Sequence, residues 1–563
     1  MAEDFMTAAV KRVEAQFEKS GVSENCAAFE RKENQIEMRD GVKLHTIYYF
    51  PKEDTAEEKT YPVILTRTCY PGNDRIHRAY GEGLARRGYV YVYQYCRGRE
   101  NSEGKWEPNI NERKDGIDTM NYLVEQPWCE ILGYWGHSYT SMTGWAFADA
   151  AEGKVAAMFL EDYGTDRFTS AYEKGCFRHD ILTAWSMENA EKPVNADYRE
   201  SCRYLPQIEV DEALWGQRVP SYREYITSPN PDAALWQTGW WKQLREIPSK
   251  TKVPIYLLSG WYDHHHGSSM KTWERLNEET KQHSWLEIGA WNHFFQICLE
   301  GKEVLHPQNE EIPKMLEWFE LTLKQKEIPT QRIRAYEIGA DRWIDTVSDG
   351  LGEKGTAGSM TLYLDEKTLR TDTPEQEKTR NYTFDPADPV ESIGGEALLH
   401  TMPQIGSHLQ PESDYREDVL SFVSEPLEET FTLNGKASVR LFVESDCEDT
   451  AFTAKIMEVT PEGKAYNIRS SIATLEQGKT EAGAYEPGSV AEVQITMWNI
   501  VYTIPKGSRI RVDVSSSDFP QYHVHSNQKG LWSEKTENKI AHQTIHTGGV
   551  HASCVILPLM KKQ

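Results

Sequence analysis

The stretch that most constrains this chain is a strand that runs directly into a tight turn and then a helix. Ile131 to Trp135 reads as a short apolar strand, Gly136-His137-Ser138-Tyr139-Thr140-Ser141 follows, and Trp145 to Ala151 is helix-competent. A serine on such a turn exposes its hydroxyl and aims the next backbone N–H at the same point. Small residues are needed around it because strand and helix approach closely. Gly136 meets that need two residues before Ser138. Thr140 stands where a G-x-S-x-G pattern has its second glycine, so the pattern is incomplete.

The flanking sequence agrees with this geometry. Gln35 to Met38 and Val42 to Phe50 read as two strands joined by an Asp40-Gly41 turn. Val63 to Leu65 and Tyr89 to Tyr93 are further strands, and between them a helix spans about Ile76 to Arg87, closed by Gly88. A second helix covers about Asp115 to Gln126. Alternating strands and helices predict a largely parallel sheet covered on both faces.

A hydroxyl attacks only when a base takes its proton, and the base needs an acid to hold its tautomer. On sheets of this kind the order along the chain is serine, acid, histidine. Downstream, the strand at Val253 to Ser259 ends in Gly260-Trp261-Tyr262-Asp263, and that at Trp285 to Ile288 ends in Gly289-Ala290-Trp291-Asn292-His293. Asp263 and His293 therefore sit just past the C-terminal ends of two strands, the edge where sites on such sheets form. Taken singly, Asp263 also fits a helix cap and His293 a hydrogen-bonded loop residue.

Four parts are expected: an N-terminal helical extension over 1–30, a core over 31–165 and 246–330, a helical cap over 166–245, and a β-rich domain over 331–563. Met6, Ala9, Val10, Val13 and Phe17 give the first an amphipathic helix that packs on the protein's own surface. In the last, runs such as Ala437 to Val443, Ala451 to Val459, Val493 to Met497 and Ile510 to Val514 have the texture of an antiparallel sandwich or jelly roll.

Composition narrows the partners. A net charge of -25 argues against nucleic acid and against an anionic membrane surface. There is no apolar run of membrane-spanning length and no secretory leader pattern, and nine scattered cysteines lack a C-x-x-C pair. The expectation is a cytoplasmic protein, with the oligomeric state open and a homo-oligomer included.

Across nearly its whole length the chain resembles the cocaine-esterase-like (CocE/NonD) serine hydrolases, which are related to X-Pro dipeptidyl-peptidases. The resemblance rests on Met38-Arg39-Asp40-Gly41, Arg97-Gly98, Ser102-Glu103-Gly104, Asp115-Gly116, Gln126-Pro127-Trp128, Gly136-x-Ser138-Tyr139, Gly260-Trp261-x-Asp263 and Trp291-x-His293. It implies an α/β fold: an α/β-hydrolase core with a helical cap insertion and a C-terminal β jelly roll of the galactose-binding-like type. It also implies an oxyanion hole made by the Tyr139 N–H and the Tyr70 hydroxyl; by the residues alone, Tyr70 reads as a core tyrosine. Two departures stand out. Ser141 occupies a position where the family usually has glycine, and Gln94-Tyr95-Cys96-Arg97-Gly98 lacks the usual aspartate before Arg-Gly.

Other clusters carry weaker signals. Consecutive His264, His265 and His266 point different ways, so pocket lining or loop surface fits them better than a metal site. Glu161, Asp162 and Asp166 could read a substrate amine but fit solvated or capping acids. His523 and His525, spaced for one face of a strand, fit a half-buried strand better than a metal or sugar site. The sequence thus points to hydrolysis of a small ester or amide by Ser138, His293 and Asp263 through an acyl-enzyme, with no metal and no cofactor. Two alternatives stay open: an acylase or X-Pro dipeptidyl-peptidase-like aminopeptidase, and an inactive binding protein that uses its β domain.

Overall fold

The computed structural model describes residues 2–52, 59–345, 351–398, 401–402 and 404–561, with backbone alone for 2–5 and 353–354. Its first layer is a ten-stranded mixed sheet. In chain order the strands are β1 (Ala28–Glu37), β2 (Lys43–Lys52), β3 (Tyr61–Thr68), β4 (Val90–Tyr95), β5 (Cys129–His137), β6 (Val155–Glu161), β7 (Ile255–Tyr262), β8 (Trp285–Asn292), β9 (Arg332–Glu337) and β10 (Arg342–Asp345). Across the sheet the order is β1-β2-β4-β3-β5-β6-β7-β8-β9-β10. β4, β3, β5, β6, β7, β8 and β9 run parallel, while β1, β2 and β10 pair antiparallel at the two edges. Val63, Ile64, Leu65, Val90 and Val92 are fully buried, as strands covered on both faces must be.

Helix α1 (Ala2–Lys19) packs on α2 (Asp74–Arg86) and on α7 (Glu311–Phe319). Val13, Gln16 and Phe17 are buried in it, and a side chain at Gly83 of α2 would collide with the Phe17 ring at 2.3 Å. At the end of α2, Gly88 takes φ +83, and Tyr89 N–H reaches back to Leu84. Helices α3 (Glu112–Val124) and α4 (Tyr139–Trp145) follow, and the insertion after β6 ends in α5 (Gly239–Lys250), ahead of β7 and α6 (His266–Arg275).

The insertion is built of short helices and one two-stranded hairpin, Tyr172–Glu173 with Cys176–Phe177. Among its rings, Tyr225, Trp236 and Trp241 pack together and join the core that continues into the sheet. The C-terminal layer is a β sandwich, antiparallel apart from one short pairing of Thr368–Leu369 with Val423–Ser424. The runs singled out in the sequence lie in its strands Ser438–Ser445, Ala451–Val459, Ala491–Thr496 and Arg509–Ser515.

The partition drawn from sequence texture differs from the observed elements at three places. β1 begins at Ala28, inside the expected extension, and α5 runs across residue 245. The first sheet also continues past 330: Ile333 and Ala335 lie beside Leu286 and Ile288, and Trp261 Nε1–H donates to the Tyr336 carbonyl at 2.7 Å. An alternating run such as Arg332–Glu337 reads as β whichever sheet it joins, so only tertiary pairing assigns it. No helix among the described residues is long and apolar enough to cross a membrane.

The layers meet at Arg178, a fully buried residue of the insertion. Its guanidinium donates to Asp180 Oδ2 at 2.8 Å and to the Glu396 carbonyl at 2.7 Å, and it lies 4.8 Å from the Trp498 ring centre. Phe177 N–H donates to His523 Nδ1 beside it at 2.8 Å. Burial pushes the Asp180 carboxyl up to about 6 despite the arginine. Arg178→Ala strands a buried carboxyl, so urea denaturation at pH 7.5 is expected to show a loss of ~3–5 kcal/mol. Adding Asp180→Asn to that variant is expected to recover part of the loss.

Candidate active site

Ser138 directly follows β5 with φ 57 and ψ −125, a left-handed backbone that a non-glycine residue adopts only when its surroundings impose it. The imposition comes from close packing. A Cβ on Gly136 would sit 2.2 Å from the Thr140 carbonyl oxygen, so strand and helix touch backbone to backbone there. Ser138 N–H donates to the Glu161 carbonyl at 3.0 Å, and its own carbonyl accepts from Ser141 and Met142 as α4 begins. Thr140 explains the missing glycine: its hydroxyl donates to the His137 carbonyl and accepts from the His137 N–H, both at 2.7 Å. Ser141 is fully buried and has no room for a larger side chain to be neutral.

Two further glycines deliver the partners. A Cβ at Gly260 would meet the Trp291 carbonyl at 2.2 Å, and one at Gly289 would lie 1.7 Å from the Trp291 ring. Trp291 thus folds into a bulged end of β8, where the register to β7 shifts between Gly289 and Asn292. This brings the residues after both strands together. His293 Nδ1 lies 2.5 Å from Asp263 Oδ2, and His293 Nε2 lies 2.9 Å from Ser138 Oγ. Asp263 Oδ1 accepts the His265 N–H at 2.8 Å, which fixes the carboxylate plane. Ser138, His293 and Asp263, separated by up to 155 residues, form one hydrogen-bonded line.

Tyr70 stands at the same point. Its hydroxyl lines the same cavity as Ser138 and takes the Trp185 Nε1–H at 3.4 Å; burial raises its pKa, so the phenol keeps its proton. The Tyr139 N–H opens α4, where no intrahelical acceptor exists for it. The Tyr139 side chain turns away, donating to Glu112 Oε1 at 2.6 Å and stacking on Trp185 at 5.8 Å. A hydroxyl, an imidazole and a carboxylate in line can transfer an acyl group from a carbonyl compound to water.

A cavity of about 630 Å³ opens above Ser138, within the range of small-molecule sites. Sequence reasoning missed one of its walls. Ala8, Ala9, Arg12 and Val13 of α1 line it, so the N-terminal helix is part of the chamber. Arg12 ties that wall to the site: its Nη1–H donates at 3.0 Å to the carbonyl of Phe294, the residue after His293. Glu311 secures the joint, accepting from Gln16 at 3.0 Å and from Tyr80 at 3.0 Å. Helical periodicity shows that one face of α1 is buried but not what it covers.

His137 was also missed, and Asp162, which the sequence suggests as a solvated or capping acid, is buried beside it. His137 Nε2 lies 2.8 Å from the His293 carbonyl, with the two rings 4.8 Å apart. Asp162, fully buried with φ 48, faces His137 at 3.6 Å. Burial and the Asp263 charge hold Asp162 well above the ordinary carboxylate range. Of the three consecutive histidines, His264 and His265 line the cavity, whereas His266 points the other way and meets the Asn499 carbonyl at 3.2 Å. All three are buried, and burial lowers their pKa so that each stays neutral. The pocket-lining reading therefore holds for His264 and His265, while His266 is a core residue and none of the three is loop surface.

Among the described residues, three clusters have donor atoms close enough for a metal: His137, Asp162 and His293; Asp263, His264 and His293; and Glu377, His546 and His551. The first two share His293, whose ring nitrogens are engaged by Asp263 and Ser138. His523 and His525 serve structure instead, bonding the Phe177 and Asn527 N–H groups and Asp449.

Comparison with known proteins places this geometry. Residues 40–295 match the family model of the X-Pro dipeptidyl-peptidase (S15 family), and residues 329–556 match its X-Pro dipeptidyl-peptidase C-terminal non-catalytic domain. The chain is a CocE/NonD-like serine hydrolase of the S15 family. Within this family it is 27% identical to the cocaine esterase of Rhodococcus sp. (strain MB1 Bresler), over 94% of this chain and 98% of that one. In fold it is similar to an α-amino acid ester hydrolase, with a TM-score of 0.81 at 21% identity, covering 95% and 97% of the two chains. An aminopeptidase from the marine sediment archaeon Thaumarchaeota archaeon gives 0.79 at 20% identity, over 95% and 96%. The S15 match begins at residue 40, so α1 lies outside it.

Glu161 offers a test of the chamber's electrostatics. It is fully buried, Trp135 Nε1–H donates to its Oε2 at 3.0 Å, and burial together with the Glu311 charge raises its pKa well above the ordinary 4.5. The folded carboxyl keeps a proton that the unfolded chain releases. Its favourable share of stability is therefore full below about pH 4.5 and is lost as pH rises toward the folded-state value, at up to ~1.4 kcal/mol per pH unit. Glu161→Gln is expected to gain stability over wild type at pH 8 and to match it at pH 4.5, read by urea denaturation at both pH values.

Proposed function

We propose that the chain hydrolyses small, uncharged carboxylic esters through an acyl-Ser138 intermediate. The observation that carries this reading is the unbroken line from Ser138 Oγ through His293 to Asp263, with Tyr70 lining the same cavity. Ser138 attacks the carbonyl carbon while His293 Nε2 takes its proton, and Asp263 steadies the imidazolium at Nδ1. Negative charge moves onto the carbonyl oxygen, where Tyr70 O–H and Tyr139 N–H receive it. His293 returns the proton to the leaving oxygen, and water repeats the sequence on the acyl-enzyme. This line uses no metal ion and no cofactor.

The carboxyl groups of the chamber favour an uncharged substrate. Burial keeps Glu161 neutral, and Glu311 is already engaged by Arg12, Gln16 and Tyr80. His264 and His265 beside the triad are neutral as well. Of the carboxyl groups that line the cavity, only the exposed Glu188 is left to replace a substrate ammonium's lost hydration. Leaving-group chemistry points the same way, since an alkoxide departs with less help than an amine. The second reading is cleavage of amino acid esters or N-terminal peptides, and it is supported by the names of the two structural neighbours.

Steady-state kinetics on paired substrates separates them. A short-chain p-nitrophenyl ester is expected to exceed both the matching anilide and an X-Pro anilide in kcat/KM, and Ser138→Ala is expected to abolish the reaction. Tyr70→Phe is expected to lower kcat ~10²–10³-fold, as loss of one oxyanion donor does. Faster turnover of the X-Pro anilide would favour the peptidase reading, and no turnover of any of the three would oppose both.

A further inference from the structure

We propose that Glu377, His546 and His551 form a binding site for a divalent transition metal of the zinc class at the edge of the β domain. None of the three lines the cavity above Ser138, so the site is separate from the hydrolase chemistry. His546 lies near the end of the strand Ala541–Thr547, paired with Thr379 on one side and Phe442 on the other. The chain then reverses through Gly548 at φ 77 and Gly549 at φ 55. The reversal is tight: a Cβ on Gly548 would meet the Gln376 carbonyl at 2.3 Å, and Gly549 N–H donates to the Pro374 carbonyl at 2.8 Å. One turn of 3-10 helix, Gly549–His551, carries His551 back until its ring lies 5.5 Å from that of His546.

Glu377 Oε1 sits between the two imidazoles, 2.8 Å from His551 Nδ1 and 3.2 Å from His546 Nδ1. All three donor atoms lie within 4.8 Å of one another. Ligands about 2.0–2.1 Å from a tetrahedral zinc stand roughly 3.3 Å apart, so an ion fits among them with small side-chain movement. The other nitrogen of His546 completes the case. Glu444 Oε1 lies 3.0 Å from His546 Nε2, the carboxylate partner that a metal-bound imidazole ordinarily has on its far side.

That pairing sets a problem which a cation resolves. A neutral imidazole has a single N–H, yet His546 faces a carboxylate at each nitrogen. A divalent ion between Nδ1 and Glu377 leaves Nε2–H to donate to Glu444. Two imidazoles and one carboxylate suit zinc, copper or nickel over magnesium or calcium. His551 and Glu377 are partly exposed, so the ion reaches the site from solvent and a water completes its shell. Its effect is to pin the 548–551 turn onto the loop that carries Glu377.

The test uses the full-length protein, treated with EDTA and then titrated with ZnCl2 by calorimetry, with Co2+ absorption as a second readout. Wild type is expected to bind one equivalent with a gain in Tm, and His551→Ala and Glu377→Gln each to weaken binding at least tenfold. His264→Ala is expected to bind as wild type does, which separates this site from the histidines near Ser138. MgCl2 is expected to leave Tm unchanged. Circular dichroism checks that the exposed-site variants are folded. No zinc uptake by wild type, or uptake unchanged in folded His551→Ala and Glu377→Gln, would overturn the proposal.

Discussion

The backbone contact between Gly136 and Thr140 is the constraint on which the rest of this molecule depends. Strand β5 and helix α4 meet so closely that no side chain fits at 136, and the turn between them forces Ser138 into a left-handed conformation. Such a conformation costs on the order of 1–3 kcal/mol, supplied by the packing of both elements. In return, the hydroxyl stands clear of the sheet with the first free N–H of α4 beside it. The parallel sheet serves this turn by ending β7 and β8 at the same edge, so that Asp263 and His293 arrive on either side of one hydrogen bond.

Around that line the protein builds a chamber from parts far apart in the chain. The insertion contributes Trp185, which stacks on Tyr139 and bonds Tyr70. The β domain closes another side through Leu398, and α1 supplies a rim anchored by Arg12 beside His293. Arg178 joins insertion and β domain with a buried guanidinium.

Much of this was legible in the sequence. Glycines beside Ser138, Asp263 and His293 mark close approaches, and the triad residues follow strands whose apolar runs are unmistakable. What escaped depends on tertiary partners. Thr140 takes over the role expected of a glycine only because its hydroxyl reaches back to His137. His264, His265 and His266 read in the sequence as pocket lining or loop surface; the first two line the cavity, and all three are buried where desolvation keeps them neutral. Residues 332–345 carry a β pattern that fits either sheet. Glu377 and His551 are 174 residues apart, and no local pattern announces their meeting.

The central claim is that Ser138 is an activated nucleophile, and covalent labelling tests it most directly. Folded wild-type protein is treated with a fluorophosphonate probe, digested and mapped by mass spectrometry beside Ser138→Ala. The account predicts one adduct, on the peptide that carries Ser138, and none in the variant. A folded wild type that takes no label, or labelling of another serine that persists in Ser138→Ala, would contradict it.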